Sequence, residues 1–282
     1  MERIISCAAG CPDRDLAEAL RLAAHAALAG GAVLRLLYGQ PHQITHKGAI
    51  DLVTEADVAS EQAVLEVLRQ GPAGTAILAE ESSASFSGPP SGPVWIIDPL
   101  DGTTNFAHGF PFFCVSVALA RGDQCQVGVI YAPMQDELFC ACRGAGAWLN
   151  GQPIRVSGVA TLEQSLLATG FPYAIAEEVE GVVAALRCFL TTAQGIRRAG
   201  AAALDLAYLA CGRVDGFWEI NLKPWDTAAG QVLVEEAGGR LSGMHGGDYT
   251  PFLPELVASN GLLHREMVGR LAPFSRLGGG MG

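Results

Sequence analysis

The sequence predicts a mixed fold in two halves, an antiparallel α+β half followed by an α/β half. Three observations carry that expectation. Apolar and polar residues alternate between glycine turns through "FCVSVALARGDQCQVGVIYAP" and "ELFCACRGAGAWLNGQPIRVS", as antiparallel strands require. Past about Val156 strand and helix patterns alternate instead. No long linker separates the halves, so lobes of about 1–155 and 156–270 should pack as a single unit, 1–282, with a site in the cleft between them.

Taken in order, "DRDLAEALRLAAHAALAGGAVLRLLYG" predicts a helix. Asp13 is its N-cap, Leu16, Leu20, Ala23, Ala27, Val33, Leu34 and Leu37 mark one face, and Gly39 is its stop. A polar loop carrying Lys47 and the turn residue Asp51 leads to a second helix in "DLVTEADVASEQAVLEVLRQG". There Thr54 and Asp57 suit a capping box, Val58, Leu65 and Leu68 form the apolar stripe, and Gly71-Pro72 ends it. "TAILAEES" reads as a short strand ending in two glutamates; after the loop "SASFSGPPSGP", "VWIID" reads as another. In the second half, "EEVEGVVAALRCFLTTAQG" places Val179, Val182, Val183, Leu186 and Leu190 on one helix face. "AAALDLAYLACG" is a small-residue helix, "VDGFWEI" a strand, and "WDTAAGQVLVEEAGG" a helix closed by Gly238-Gly239. A flexible tail is expected over about 276–282.

Hydrophobic residues make up 50% of the chain and charged ones 17%, which excludes extensive disorder. The net charge of -11, with no Lys/Arg-rich run, repels nucleic-acid phosphates and acidic membranes, so neither is expected as a partner. An enzyme this acidic needs a local positive charge to handle an anionic substrate, most simply a metal cation. No stretch is expected to span a membrane, and "MERIISCAAGCPDRD" lacks the apolar core of a signal peptide. The eight cysteines have no zinc-knuckle spacing and read as reduced thiols of a cytoplasmic protein.

"WIIDPLDGTTNF" carries the chemistry. Asp98 and Asp101 end a hydrophobic strand, and carboxylates pressed together there are stable in ionised form only around something positive. Pro99 fixes the backbone so that both side chains and the Leu100 carbonyl can converge; oxygen-only ligands point to Mg²⁺ above Zn²⁺ or copper. Gly102 permits a sharp turn, and Thr103, Thr104 and Asn105 suit a helix start whose N–H groups bind anions. The same residues also suit an ordinary strand end and turn. Asp226 opens a helix and reads equally as an N-cap, Asp57 as a first-turn carboxylate, Glu80 and Glu81 as a solvated pair, and His108 as structural.

In this order along the chain, "DLVTEAD", "LAEES", "WIIDPLDGTTNFAHGFP" and "WDTAAGQVLVEEAGG" resemble the four signatures of the inositol monophosphatase family of Mg²⁺-dependent phosphatases. "GAGAWLNGQPIRVS" and "GAAALDLAYLACGRVDGFWE" add agreement, so the resemblance covers all but the extreme ends. It implies a layered α-β-α-β-α sandwich of two intimately packed lobes. It also implies hydrolysis of a small sugar or polyol phosphomonoester, inositol 1-phosphate first, by a metal-activated water without a phosphoenzyme. Glu80, Asp98 and the Leu100 carbonyl would hold one Mg²⁺, and Asp98, Asp101 and Asp226 a second. Glu80 would help hold a third through waters, and Mn²⁺ could substitute. Glu80 and Thr103 would orient the water, with Asp57 accepting from the Thr103 hydroxyl, and a water near Asp226 would protonate the leaving group. The N–H groups of Gly102, Thr103 and Thr104 would cradle the phosphate, while Gly200, Ala201, Ala202 and Glu219 would line the sugar pocket. The chain departs from the frequent pattern at Ala201, where a hydroxyl residue is common, and at Ala79, where glycine is. Lithium sensitivity and a homodimer are further implications. Related substrates are histidinol phosphate, fructose 1,6-bisphosphate and a 3′,5′-bisphosphonucleoside, the last disfavoured because Arg197-Arg198 is the only basic pair in the second half. A regulatory protein-binding role on the same fold is the alternative of another class.

Overall fold

The structure, a computed structural model, describes residues 2–40, 44–46, 52–83, 88, 91–172 and 175–275. Lys47, Asp51, residues 84–87, 89 and 90 of the "SASFSGPPSGP" loop and the 276–282 tail lie outside them.

A first helix, α1 (Glu2–Gly10), has no counterpart in the sequence reading. In α2 (Arg14–Leu37) the Asp13 carboxylate accepts from the Leu16 N–H at 2.8 Å, and the chain leaves the helix at Gly39, φ +77°. By length and composition alone α2 is apolar enough to cross a membrane, contrary to expectation. Its Leu16, Leu20, Ala23, Ala27 and Leu34 are buried within the protein, where an alanine-rich face lies close to a sheet. Short strands β1 (Ile44–His46) and β2 (Leu52–Thr54) pair antiparallel and lead into α3 (Glu55–Leu68). The Thr54 N–H donates to Asp57 Oδ2 at 2.7 Å and the Ala56 N–H to Thr54 Oγ1 at 3.1 Å, completing the cap. Val58, expected in the buried stripe, is 46% exposed; the buried face of α3 instead carries Ala56, Val64, Leu65 and Leu68 together with Asp57, Ser60 and Glu61.

The larger sheet has seven strands in chain order: β3 (Ala76–Ala79), β4 (Pro93–Asp101), β5 (Cys114–Arg121), β6 (Gln124–Ala132), β7 (Glu137–Cys142), β8 (Gly146–Leu149) and β9 (Gln152–Ile154). From β4 to β9 it is an antiparallel meander, while β3 lies parallel to β4. The turn after β4 holds the short helix α4 (Thr103–Ala107). The second sheet has five strands, β10 (Leu166–Thr169), β11 (Gly195–Arg197), β12 (Gly216–Ile220), β13 (Arg240–Ser242) and β14 (Glu255–Ser259), in the order β11-β10-β12-β14-β13. Its β10 runs parallel to β11 and β12, and β14 antiparallel to β12 and β13. Between and after these strands come α5 (Ile175–Leu190), α6 (Ala202–Ala210), α7 (Pro224–Glu236) and α8 (His264–Leu271).

Strand alternation sets the layers. Along β5, Val115, Val117 and Leu119 pack toward α2 and α3, whereas Cys114, Ala118 and Ala120 join the cluster around α6 and α7. Along β12, Phe217 faces that middle cluster and Trp218 faces α5 and α8. The order is therefore α2/α3, seven-stranded sheet, α6/α7, five-stranded sheet, α5/α8, the α-β-α-β-α arrangement expected. Helix α5 is rotated from the expected face: Val179, Val183 and Leu190 are exposed, Val182 and Leu186 are half-buried, and Ala185 and Phe189 are buried. The helix carries apolar residues nearly all round, and Phe189 stacking on Trp218, with centroids 4.6 Å apart, selects the inner face. All eight cysteines are free.

Candidate active site

Two residues three apart on a regular strand point to opposite faces. A bulge in β4 cancels that: Asp98 pairs with Ser116 and Asp101 with Cys114, so three steps on β4 match two on β5. Asp98 and Asp101 consequently line one cavity of about 250 Å³, together with Glu80, Leu100, Thr103 and Asp226. Glu80 follows β3, where its N–H donates to the Ile97 carbonyl at 3.2 Å and brings it beside the end of β4. Asp226 is not the cap of α7 but its third residue, and Oδ2 accepts from the Lys223 N–H at 2.7 Å. Asp101 accepts from the Ala203 N–H at 2.7 Å, at the start of α6. Gly102 takes φ +100° to start α4, and a Cβ there would press on the Phe112 carbonyl.

These acids lie where water is scarce. Burial, then the charges of Glu80, Asp101 and Asp226, pushes the Asp98 carboxyl well above its ordinary range. Burial also pushes Asp101 up to about 7, against the pull of the Ala203 N–H, and Asp226 up to about 7, against that of the Lys223 N–H. Among the described residues no three His, Cys, Asp or Glu side chains are already arranged to hold a metal ion. The donor set nevertheless fits a hard divalent cation: oxygen ligands only, and mutual repulsion that such a cation removes.

Helix α3 supports this cage from behind. The Thr103 hydroxyl donates to Asp57 Oδ1 at 2.7 Å, the Ser60 hydroxyl to the Pro99 carbonyl at 2.7 Å, and the Glu81 N–H to Glu61 Oε2 at 3.0 Å. Burial raises the Asp57 carboxyl above its ordinary range, opposed by hydrogen bonds from Thr54 and Thr103. Ser60 and Glu61 are not among the residues expected at the site; their sequence signal is that with Asp57 they make three polar residues at i, i+3 and i+4 on one helix face.

A second cavity, about 100 Å³, shares Asp101, Gly102 and Asp226 with the first. Thr104, Gly200, Ala201, Ala202 and Glu219, all anticipated, line it. Phe171, Arg198 and Asp205, not anticipated in this role, line it too, with the Arg198 guanidinium 5.2 Å from the Phe171 ring centre. Burial, then the charges of Asp226 and Asp205, raises the Glu219 carboxyl. Gly170 lets Glu219 lie against the end of β10, because a Cβ there would overlap the carboxylate. The Asn105 amide donates to the Phe112 carbonyl at 2.6 Å and the Ala199 carbonyl at 2.9 Å, tying α4 to the turn that carries Gly200.

The profile of the Inositol monophosphatase family matches residues 15–275. This chain belongs to that family. Accordingly it is a phosphatase, an enzyme that hydrolyses phosphoric monoesters. A relative named inositol-1-monophosphatase from Synechocystis is 46% identical over 261 residues, covering 92% of this chain and 90% of its own. The protein named Nus factor SuhB from Escherichia coli K12 is 40% identical, covering 89% of this chain and 95% of its own. Among solved structures, the inositol monophosphatase from Anabaena superposes with a TM-score of 0.80 at 43% identity, over 90% of this chain and 95% of that one. The family match and the fold thus agree.

Proposed function

We propose that the protein hydrolyses a small sugar or polyol phosphomonoester in a Mg²⁺-dependent reaction, with inositol 1-phosphate as the first candidate substrate. The observation carrying this reading is the continuity of the two cavities through Asp101, Gly102 and Asp226, which sets a carboxylate cage against a pocket lined by Glu219. Glu80, Asp98 and the Leu100 carbonyl would hold one ion, Asp98, Asp101 and Asp226 a second, and Glu80 would help hold a third through waters. When bound, Mg²⁺ supplies Lewis acidity and a lowered pKa for water.

The chain's own groups divide the remaining work. With its hydrogen donated to Asp57, the Thr103 hydroxyl keeps its lone pairs for the attacking water, which orients that water and passes its proton toward Asp57. Asp57 suits the task because burial raises its proton affinity and Thr54 holds its other oxygen at 2.7 Å. The N–H groups of Gly102, Thr103 and Thr104, where α4 begins, would face the phosphate, and a water held near Asp226 would protonate the departing alkoxide. Glu219 accepts from substrate hydroxyls.

Phosphate release from a panel of phosphomonoesters tests the reading. Inositol 1-phosphate should be turned over with Mg²⁺ or Mn²⁺ and not in excess chelator. Release that persists undiminished in chelator refutes it.

A further inference from the structure

The acid of the second cavity that no proposed step uses is Asp205. It sits on α6 and is 3% exposed, yet it lines the pocket beside Glu219. Among the described residues its carboxylate receives no hydrogen bond and forms no ion pair; the nearest compensating charge is Arg198, which is exposed and lies over Phe171. Its oxygens are not among the enclosed side-chain atoms left unpartnered, so Asp205 opens onto the cavity and takes its donors from whatever occupies that space. Its neighbours one turn back on α6 offer no side-chain donor. Ala201 and Ala202, one turn back on the same helix, have no polar side-chain atoms, and the Ala203 N–H is already given to Asp101.

We propose that Asp205 is a specificity-determining residue that accepts a substrate hydroxyl alongside Glu219. The pocket is thereby selective for ring polyol monophosphates that present two hydroxyl donors, and unfavourable to a second phosphate. The inference rests on the phosphomonoesterase reading above and deepens it. Charge supports it. With cations bound, Asp101 and Asp226 would be neutralised, which would leave Asp205 and Glu219 against Arg198 among the residues lining this cavity, a balance unfavourable to another anion.

The test compares Asp205→Ala with wild type on three substrates with saturating Mg²⁺: inositol 1-phosphate, 4-nitrophenyl phosphate, which has no hydroxyls, and fructose 1,6-bisphosphate. The ratio of kcat/KM for inositol 1-phosphate to that for 4-nitrophenyl phosphate should fall by at least about tenfold. The ratio for the bisphosphate to inositol 1-phosphate should rise. A change below about threefold in the first ratio overturns the proposal, because a merely structural role would lower all three rates together. Should Asp205→Ala not fold, the near-isosteric Asp205→Asn, which keeps an acceptor and loses the charge, should still raise the bisphosphate ratio, and its failure to do so overturns the proposal. If wild type releases phosphate from none of the three, the functional reading itself fails, which is a distinguishable result.

Discussion

Thr103 and Asp57 illustrate how much one hydrogen bond can be asked to do. The Thr103 hydroxyl lies 2.7 Å from Asp57 Oδ1 and 3.1 Å from its other acceptor, the Leu100 carbonyl, so Asp57 is the better taker of its hydrogen and the two residues should act as one unit. Thr103→Ala is expected to lower kcat by about 10²–10³-fold, within the range of positioned proton transfer. Asp57→Asn, whose amide can donate to Thr103 and reverse the bond, should lower it comparably. In a double-mutant cycle the combined variant should be no more than about threefold worse than the poorer single one. Losses that multiply would mean that the residues act separately. Most cage residues were legible because their signature motifs are contiguous: Asp98, Leu100, Asp101, Gly102 and Thr103 are neighbours in sequence. Asp205, Ser60 and Glu61 were not, since each reads as an unremarked polar residue until the fold puts a partner or a cavity beside it.

Elements differ in how far local sequence specifies them, for a physical reason. The β5–β9 meander and the caps of α2 and α3 follow from local alternation and turn chemistry, and the structure reproduces them. The buried face of α5 and the parallel pairing of β3 depend on distant partners, Trp218 in one case and β4 in the other, which no local pattern encodes. Helix α4 is a related case. At five residues it has little stability of its own and is held through Asn105. Asn105→Ala would leave the Phe112 and Ala199 carbonyls without that donor, at a cost of about 1–3 kcal/mol. The melting temperature should fall by about 2–4 °C per kcal/mol, and KM for inositol 1-phosphate should rise as the Gly200 turn loosens. A melting temperature and KM equal to those of wild type would show that the tie is dispensable.

For the whole molecule, the cage acids make stability depend jointly on pH and cation. Without metal, Asp101 and Asp226 hold their protons up to about 7, whereas both would ionise near 3.8 in the unfolded chain. Between those values the folded protein binds more protons than the unfolded one, so stability falls as pH rises through the window from about 4 to 7 and then levels off. Melting in chelator across that range should trace this decline, and millimolar Mg²⁺ at pH 7.5 should reverse it. A flat profile in chelator, or no response to Mg²⁺, would contradict the assignment of these acids.

The middle layer has one more consequence. Helices α6 and α7 each hold a cage acid, Asp101 through the Ala203 N–H and Asp226 directly, and both are gripped by apolar side chains from the two sheets. Among the described residues, parting the two sheets would therefore undo this central packing. Among the described residues that line the two cavities, Arg198 and Lys223 are exposed and mark where the site meets solvent. The girth of that doorway, rather than any breathing of the interior, would limit how bulky an alcohol can depart.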